Sequence, residues 1–148
     1  VSKDFDLQEF IPKEIYNAFR ENSTWFINPT IINIAQVVRD ISGVPIIINN
    51  WNNGGSYNNR GYRLPSSPIG AVYSQHKLGN AIDISSNEMN AKKLYELILA
   101  NKGLLLLNGL SAIEDIRHTK TWVHLDCRFI KNKKEILIFF LVDFNNRF

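Results

Sequence analysis

Ser74-Gln75-His76-Lys77-Leu78-Gly79-Asn80-Ala81-Ile82-Asp83 is the stretch that decides how this chain folds, together with the later Thr121-Trp122-Val123-His124-Leu125-Asp126. Two of the three histidines fall inside these two stretches. Asp83 follows His76 by seven residues, an odd number of steps, so on an unbroken strand the two side chains would point to opposite faces. A bend is required. Gly79, which has no Cβ, permits the turn or bulge that brings the imidazole round to the carboxylate. In the second stretch, alternation puts Trp122, His124 and Asp126 on one face and Val123, Leu125 and Cys127 on the other. Cys127 is therefore expected to be an inert core thiol.

Two histidines and one carboxylate, with a fourth position left for water, are the ligand set of a catalytic rather than a structural zinc site. Such an ion brings the pKa of water to about 7 and polarises a carbonyl under attack. The single cysteine excludes an intramolecular disulfide framework and any multi-cysteine zinc or iron–sulfur site. Nitrogen and oxygen ligands are what remain.

Around these stretches the pattern is mixed. Upstream, Pro12 marks a short helix carrying Ile15 and Phe19 inward, and Asn28-Pro29 reads as a capped helix start. Ile31, Ile34, Ala35, Val38 and Ile41 then recur at helical spacing, and Gly43 sits at the expected left-handed stop. Val44 to Ile48 reads as a buried strand. Asn49 to Ser74, crowded with Asn, Gly, Ser and Pro, is a loop long enough to be either functional or disordered, and its aromatics and arginines favour function. His76 to Ser85 returns to strand character. Ser86 or Asn87 can cap a helix through Ala91, Leu94, Leu97 and Ile98 to Gly103. Strands are expected at Leu110 to Ile116, Thr121 to Arg128 and Glu135 to Phe144. Helices first and hairpin strands last predict one α+β domain over residues 1–148, with a largely antiparallel sheet packed by helices.

Composition bounds the function. A chain of 148 residues, 45% hydrophobic, buries one core comfortably. No apolar run reaches the roughly 18 residues of a membrane span, the longest, Ile136 to Val142, being of strand length, so no membrane insertion is expected. Val1 to Phe10 lacks the basic start and apolar run of a secretion signal, which implies a protein kept in the cytoplasm or one whose signal has been removed. The net charge of +3 suits acidic partners such as cell-wall polymers or nucleic acid without demanding either. Lys and Arg are scattered rather than clustered, which argues against nucleic acid.

The two motifs resemble those of the zinc metallopeptidases that include D-alanyl-D-alanine carboxypeptidases and phage endolysins of the M15 group, the phage-type members above all. In these a Ser-x-His-x-x-Gly-x-Ala-x-Asp stretch supplies the first two zinc ligands and a Trp-Val-His-x-Asp-type stretch the third. Ser74, His76, Gly79, Ala81 and Asp83 match the first pattern, and Trp122, Val123, His124 and Asp126 the second. The likeness extends to the Pro45 to Trp51 segment, Gly54-Gly55, Arg60-Gly61-Tyr62-Arg63 and Ile113-Glu114, about two-thirds of the chain. It implies one zinc ion held by His76, Asp83 and His124, a D-alanyl-D-alanine carboxypeptidase/hedgehog-like fold, and cleavage of peptide bonds in peptidoglycan stem peptides or cross-bridges. It also implies an arginine, Arg63 or Arg60, that anchors a substrate carboxylate or stabilises the oxyanion. A monomer, virion-associated or held in a host cytoplasm until lysis, completes the expectation.

The chain departs from the pattern at Thr121, where many relatives carry an acidic general base that threonine cannot replace. Glu114 is the first candidate to take its place, being on a strand able to pair close to His124. Asp126 is the second; it can alternatively orient an imidazole by a hydrogen bond. Asp115 and His118 are outsiders, His118 sitting in a polar turn. Tyr62, Ser74 and Trp122 are candidate substrate contacts, Trp122 equally a sheet-face aromatic, and Trp51 is undecided. The competing reading is a cell-wall-binding or virion structural module that keeps the fold and metal but has lost catalysis.

Overall fold

Asn28 opens the longest helix by accepting a hydrogen bond from the Thr30 amide at 2.9 Å, with Pro29 in the first helical position, where no donor is needed. This helix, α2 (Pro29–Ser42), buries Ile31, Ile34, Ala35 and Val38 along one face and stops at Gly43, whose φ of 67° is left-handed. Each fully buried isoleucine of that stripe contributes on the order of 1.5–3 kcal/mol. The structure, a computed structural model, describes residues 1–140.

The shorter α1 (Lys13–Phe19) buries Ile15 as expected. Phe19, expected inside, is 41% exposed, because the helix ends there and the chain leaves through Arg20 at φ 52°. Its ring packs edge-on against Phe26 instead. Val44 to Ile48 is not a regular strand: among the described residues one bridge, Ile47 to Ser85, is its only ladder pairing. Ile46 and Ile48 are still buried. The sheet edge that further pairing would need is occupied one turn away, where the Asp83 amide donates to the Arg60 carbonyl at 2.7 Å.

Strand character in His76 to Ser85 is confined to β1 (Ala81–Ile84), and Gln75–Leu78 forms a single 3₁₀ turn. The next helix, α3 (Ala91–Ala100), is capped by Asn90, whose side chain accepts from the Lys93 amide at 2.9 Å, not by Ser86 or Asn87. It does not run on to Gly103. Non-helical backbone at Asn101 (φ −108°, ψ 21°) breaks it, and α4 (Lys102–Leu107) restarts with Gly103 inside. Strands β2 (Ala112–Glu114), β3 (Val123–Asp126) and β4 (Leu137–Phe139) follow. Residues 141–144 of the last expected strand lie outside the described residues.

The sheet order is β1-β3-β2-β4. Strand β3 pairs antiparallel with both β1 and β2, whereas β4 runs parallel to β2, so the sheet is mixed rather than largely antiparallel. Both edges of β3 are already filled by β1 and β2, so β4 cannot hairpin with its predecessor. It crosses to the other edge of β2, and a strand that runs opposite to β3 is there parallel to β2.

Alternation divides the sheet. Ile82, Ile84, Ile113, Val123 and Leu125 face the helices and join a single hydrophobic cluster with α2 and α3. Asp83, Glu114, His124 and Asp126 face the other way, yet all four are buried. Among the described residues no helix is long and apolar enough to cross a membrane.

Candidate metal centre

Register places the polar face. Asp83 lies opposite His124 across β1 and β3, and Ile113 lies opposite Leu125 across β2 and β3. Continuing that register sets Glu114 opposite His124, and Glu114 is itself opposite Phe139 on β4. One row of side chains, Asp83, His124, Glu114 and Phe139, thus crosses all four strands on one face.

His76 reaches this row from the 3₁₀ turn. Gly79 ends that turn at φ 71°, and a Cβ there would sit 2.1 Å from the Phe26 carbonyl oxygen. Only glycine satisfies both the handedness and the close approach. The bend makes His76 and Asp83 neighbours despite their odd spacing: His76 Nε2 is 3.2 Å from Asp83 Oδ1. His124 Nδ1 stands 3.2 Å from His76 Nε2 and 2.9 Å from Asp83 Oδ1.

These three atoms have the spacing a metal requires. Ligands on a tetrahedral ion at 2.0–2.1 Å are about 3.3 Å apart. The protonation pattern agrees. His76 Nδ1 is 2.8 Å from the Gly61 carbonyl oxygen, which can only accept, so the proton sits on Nδ1 and the lone pair of Nε2 faces inward. His124 Nε2 lies 3.2 Å from Asp126 Oδ2, which leaves Nδ1 to face the same point. His76, Asp83 and His124 therefore form a buried group able to hold a metal ion.

Electrostatics of the metal-free centre follow from this crowding. Burial favours neutral His76 and pushes its pKa down, with Asp83 opposing. Burial would raise Asp83, but the two histidines outweigh it and hold the carboxyl well below the usual carboxylate range. Burial also disfavours charged His124, yet hydrogen bonds to Asp126 and Asp83 prevail and push it up to about 9. At neutral pH a proton on His124 thus stands in for the ion. His124 steadies the metal-free fold fully below its ordinary value of about 6.5, and that contribution fades as pH rises through about 9. Uptake of a divalent metal ion near pH 7 is expected to release the proton that His124 carries, a contribution that should vanish well above pH 9, where His124 is already neutral and only ionisation of a bound water can release one. Calorimetric titration in buffers of different ionisation enthalpy measures this; proton-independent uptake at pH 7 would contradict the assignment.

A cavity of about 140 Å³ opens on the group. Its walls include Arg63, Ser74, Glu114, Trp122 and Phe139, with Gly70 and Ala71 at one side. Glu114 is 4% exposed, and its Oε1 has no hydrogen-bond partner among the described residues. Burial raises its pKa, and His124 pulls the other way. Arg63 donates from Nη2 to Asp83 Oδ2 at 2.7 Å and from Nε to the Asn59 carbonyl at 2.6 Å. The long loop is ordered by such bonds: Tyr62 N donates to Phe10 O at 2.8 Å and Arg63 N to His76 O at 3.1 Å.

Other expected contacts are elsewhere. Arg60 donates to Ser85 Oγ at 2.6 Å and lies 3.5 Å over the Tyr57 ring, so it braces the loop against the end of β1 rather than lining the cavity. Tyr62 is buried in the core against Phe26 and is not a cavity wall. Trp51 donates to the Ile11 carbonyl at 2.9 Å. Thr121 and His118 are exposed, His118 resting edge-on against Phe140. Asp115 is engaged by Arg117. Cys127 is half-buried, and burial pushes its thiol up to about 11, consistent with inertness. The Gly61 carbonyl, Phe139 and Arg128 were not anticipated as parts of the centre. For Arg128 the signal was its alternation with His124 and Asp126.

Fold and site together define an α+β domain in which three buried side chains could hold a metal ion beside Glu114, whose Oε1 has no hydrogen-bond partner among the described residues. Compared with protein-family models, curated proteins and solved structures, the chain matches none.

Proposed function

We propose that the chain is a zinc-dependent peptidase that hydrolyses peptide bonds of bacterial peptidoglycan, in the stem peptide or the cross-bridge. The observation that carries this reading is the row across the sheet: two candidate ligand side chains and Glu114, whose Oε1 has no hydrogen-bond partner among the described residues, meet at one cavity. A structural zinc site closes on a fourth protein ligand, whereas this group offers three beside open space. Peptidoglycan as substrate, and a phage lysis or virion setting, are supported by the two sequence motifs.

A bound zinc ion would supply Lewis-acid polarisation of the scissile carbonyl and a more acidic water. The chain's own residues do the rest. Glu114 takes the proton of the attacking water and returns it to the departing amine. It suits this role better than Asp126, which is fully buried and has both oxygens engaged by Arg128 and His124. Arg63 places positive charge at the cavity wall, where an oxyanion or a terminal carboxylate of the substrate would lie. Trp122 and Phe139 give that wall apolar surface and exclude water.

Mass spectrometry of digested peptidoglycan is the test. New peptide termini are expected with zinc-loaded protein, absent after exhaustive chelation and restored by zinc. Hydrolysis that survives complete metal removal would rule the mechanism out. Tight zinc binding with no new termini on any peptidoglycan would point instead to the non-catalytic wall-binding module.

A further inference from the structure

We propose that Asp126 and Arg128 form a positioning pair that locks the His124 ring, with Arg128 acting through Asp126. The inference rests on the metal-centre reading and extends it to two residues that do not line the cavity.

Strand geometry brings the three residues together. In His124-Leu125-Asp126-Cys127-Arg128 every second side chain points to the same side, and Arg128, just past the end of β3, turns back onto the carboxylate. Asp126 Oδ1 accepts from the Arg128 amide at 3.1 Å and from Arg128 Nε at 2.7 Å. Asp126 Oδ2 accepts from Arg128 Nη2 and from His124 Nε2. Among the described residues, the donors to this fully buried carboxylate are thus two near neighbours in sequence, His124 and Arg128.

Each contact has a consequence. A buried carboxylate facing an imidazole alone could take its proton or rotate away. The two-pronged guanidinium removes both options, because it neutralises the charge and fixes the plane of the carboxylate. What remains for Asp126 is to hold the proton of His124 on Nε2, which keeps the Nδ1 lone pair aimed at Asp83 and His76. Arg128 is itself held from β4, its guanidinium lying 4.4 Å over the Phe139 ring. Phe139 meets the His124 ring edge-on at 5.7 Å, so the imidazole is fixed on its flank as well as at both nitrogens.

The test is zinc affinity of the full chain, measured by chelator competition and independent of hydrolysis. Asp126→Ala is expected to weaken binding roughly 10–100-fold. Arg128→Ala should weaken it within the same range, and Arg128→Lys, which keeps one charged donor, should recover part of the loss. In the Asp126→Ala background Arg128→Ala should add nothing, since its effect passes through the carboxylate. Cobalt substituted for zinc should show a changed visible spectrum in Asp126→Ala. If burial makes the alanine variants unfold, Asp126→Asn and Arg128→Lys preserve volume and carry the same comparison. Unchanged affinity in Asp126→Asn or Asp126→Ala, or additive losses in the double variant, would overturn the pair. A wild-type chain without tight zinc binding overturns the metal reading too, whereas normal zinc binding with insensitive variants overturns only this inference.

Discussion

On the proposed peptidase reading, Glu114→Gln is expected to lower kcat on peptidoglycan roughly 10²–10⁴-fold while leaving zinc content and fold intact. Glutamine keeps the shape of the side chain in β2 but cannot accept a proton from water. The ligand trio does not include residue 114, so metal affinity should hold. Stability should hold as well, because a neutral amide at this buried place avoids the cost of an ionised carboxylate without a partner on Oε1. The acid limb of kcat/KM should report Glu114 above the ordinary carboxylate value of 4.5, since burial raises it, and that limb should vanish in the variant. Asp126→Asn provides the contrast, losing zinc affinity before it loses turnover of the loaded protein. A Glu114→Gln variant with wild-type kcat and normal zinc content would remove Glu114 from the chemistry.

The parts of the centre that sequence exposed were those written in side-chain type and local spacing. His76, Gly79 and Asp83 carry their own geometry, because an odd spacing between two polar groups makes sense only with a bend. The start and stop of α2 were equally local, an Asn-Pro cap and a left-handed glycine. What was hidden is non-local or belongs to the backbone. The carbonyl that fixes the His76 tautomer comes from Gly61, and its acceptor carries no residue signature. Arg60 and Arg63 look alike in an irregular loop; only the folded path shows that one reaches Asp83 and the other Ser85. That β4 pairs parallel with β2 instead of forming a hairpin with β3 depends on which strand edge is open to it, a property of the assembled sheet. Ser86 and Asn87 were the expected caps of α3, yet Asn90 is the cap, because the buried Ala91 and Leu94 set where the helix begins.

Asp83→Ala should produce the broadest loss, because this carboxylate serves the metal, both histidines and Arg63 at once. On the proposed zinc-peptidase reading, removing one of the three candidate ligands should abolish zinc retention during purification and with it hydrolysis. The metal-free protein should suffer too. Arg63 loses its 2.7 Å partner and His124 one of its two anions, both within a site where side chains are about a tenth exposed or less. Breaking a buried pair by deleting one partner costs about 3–5 kcal/mol. That cost has a sign in pH. The folded-state value of Asp83 is depressed, so its contribution is full above the ordinary carboxylate range and is lost as pH falls through its own lower value. The gap in denaturant midpoint between wild-type and variant metal-free proteins should therefore be wide at pH 7 and narrow in strong acid. Chemical unfolding at a series of pH values, with chelator present throughout, measures it. A constant gap across that series would mean that the carboxylate stabilises the site by packing rather than by charge.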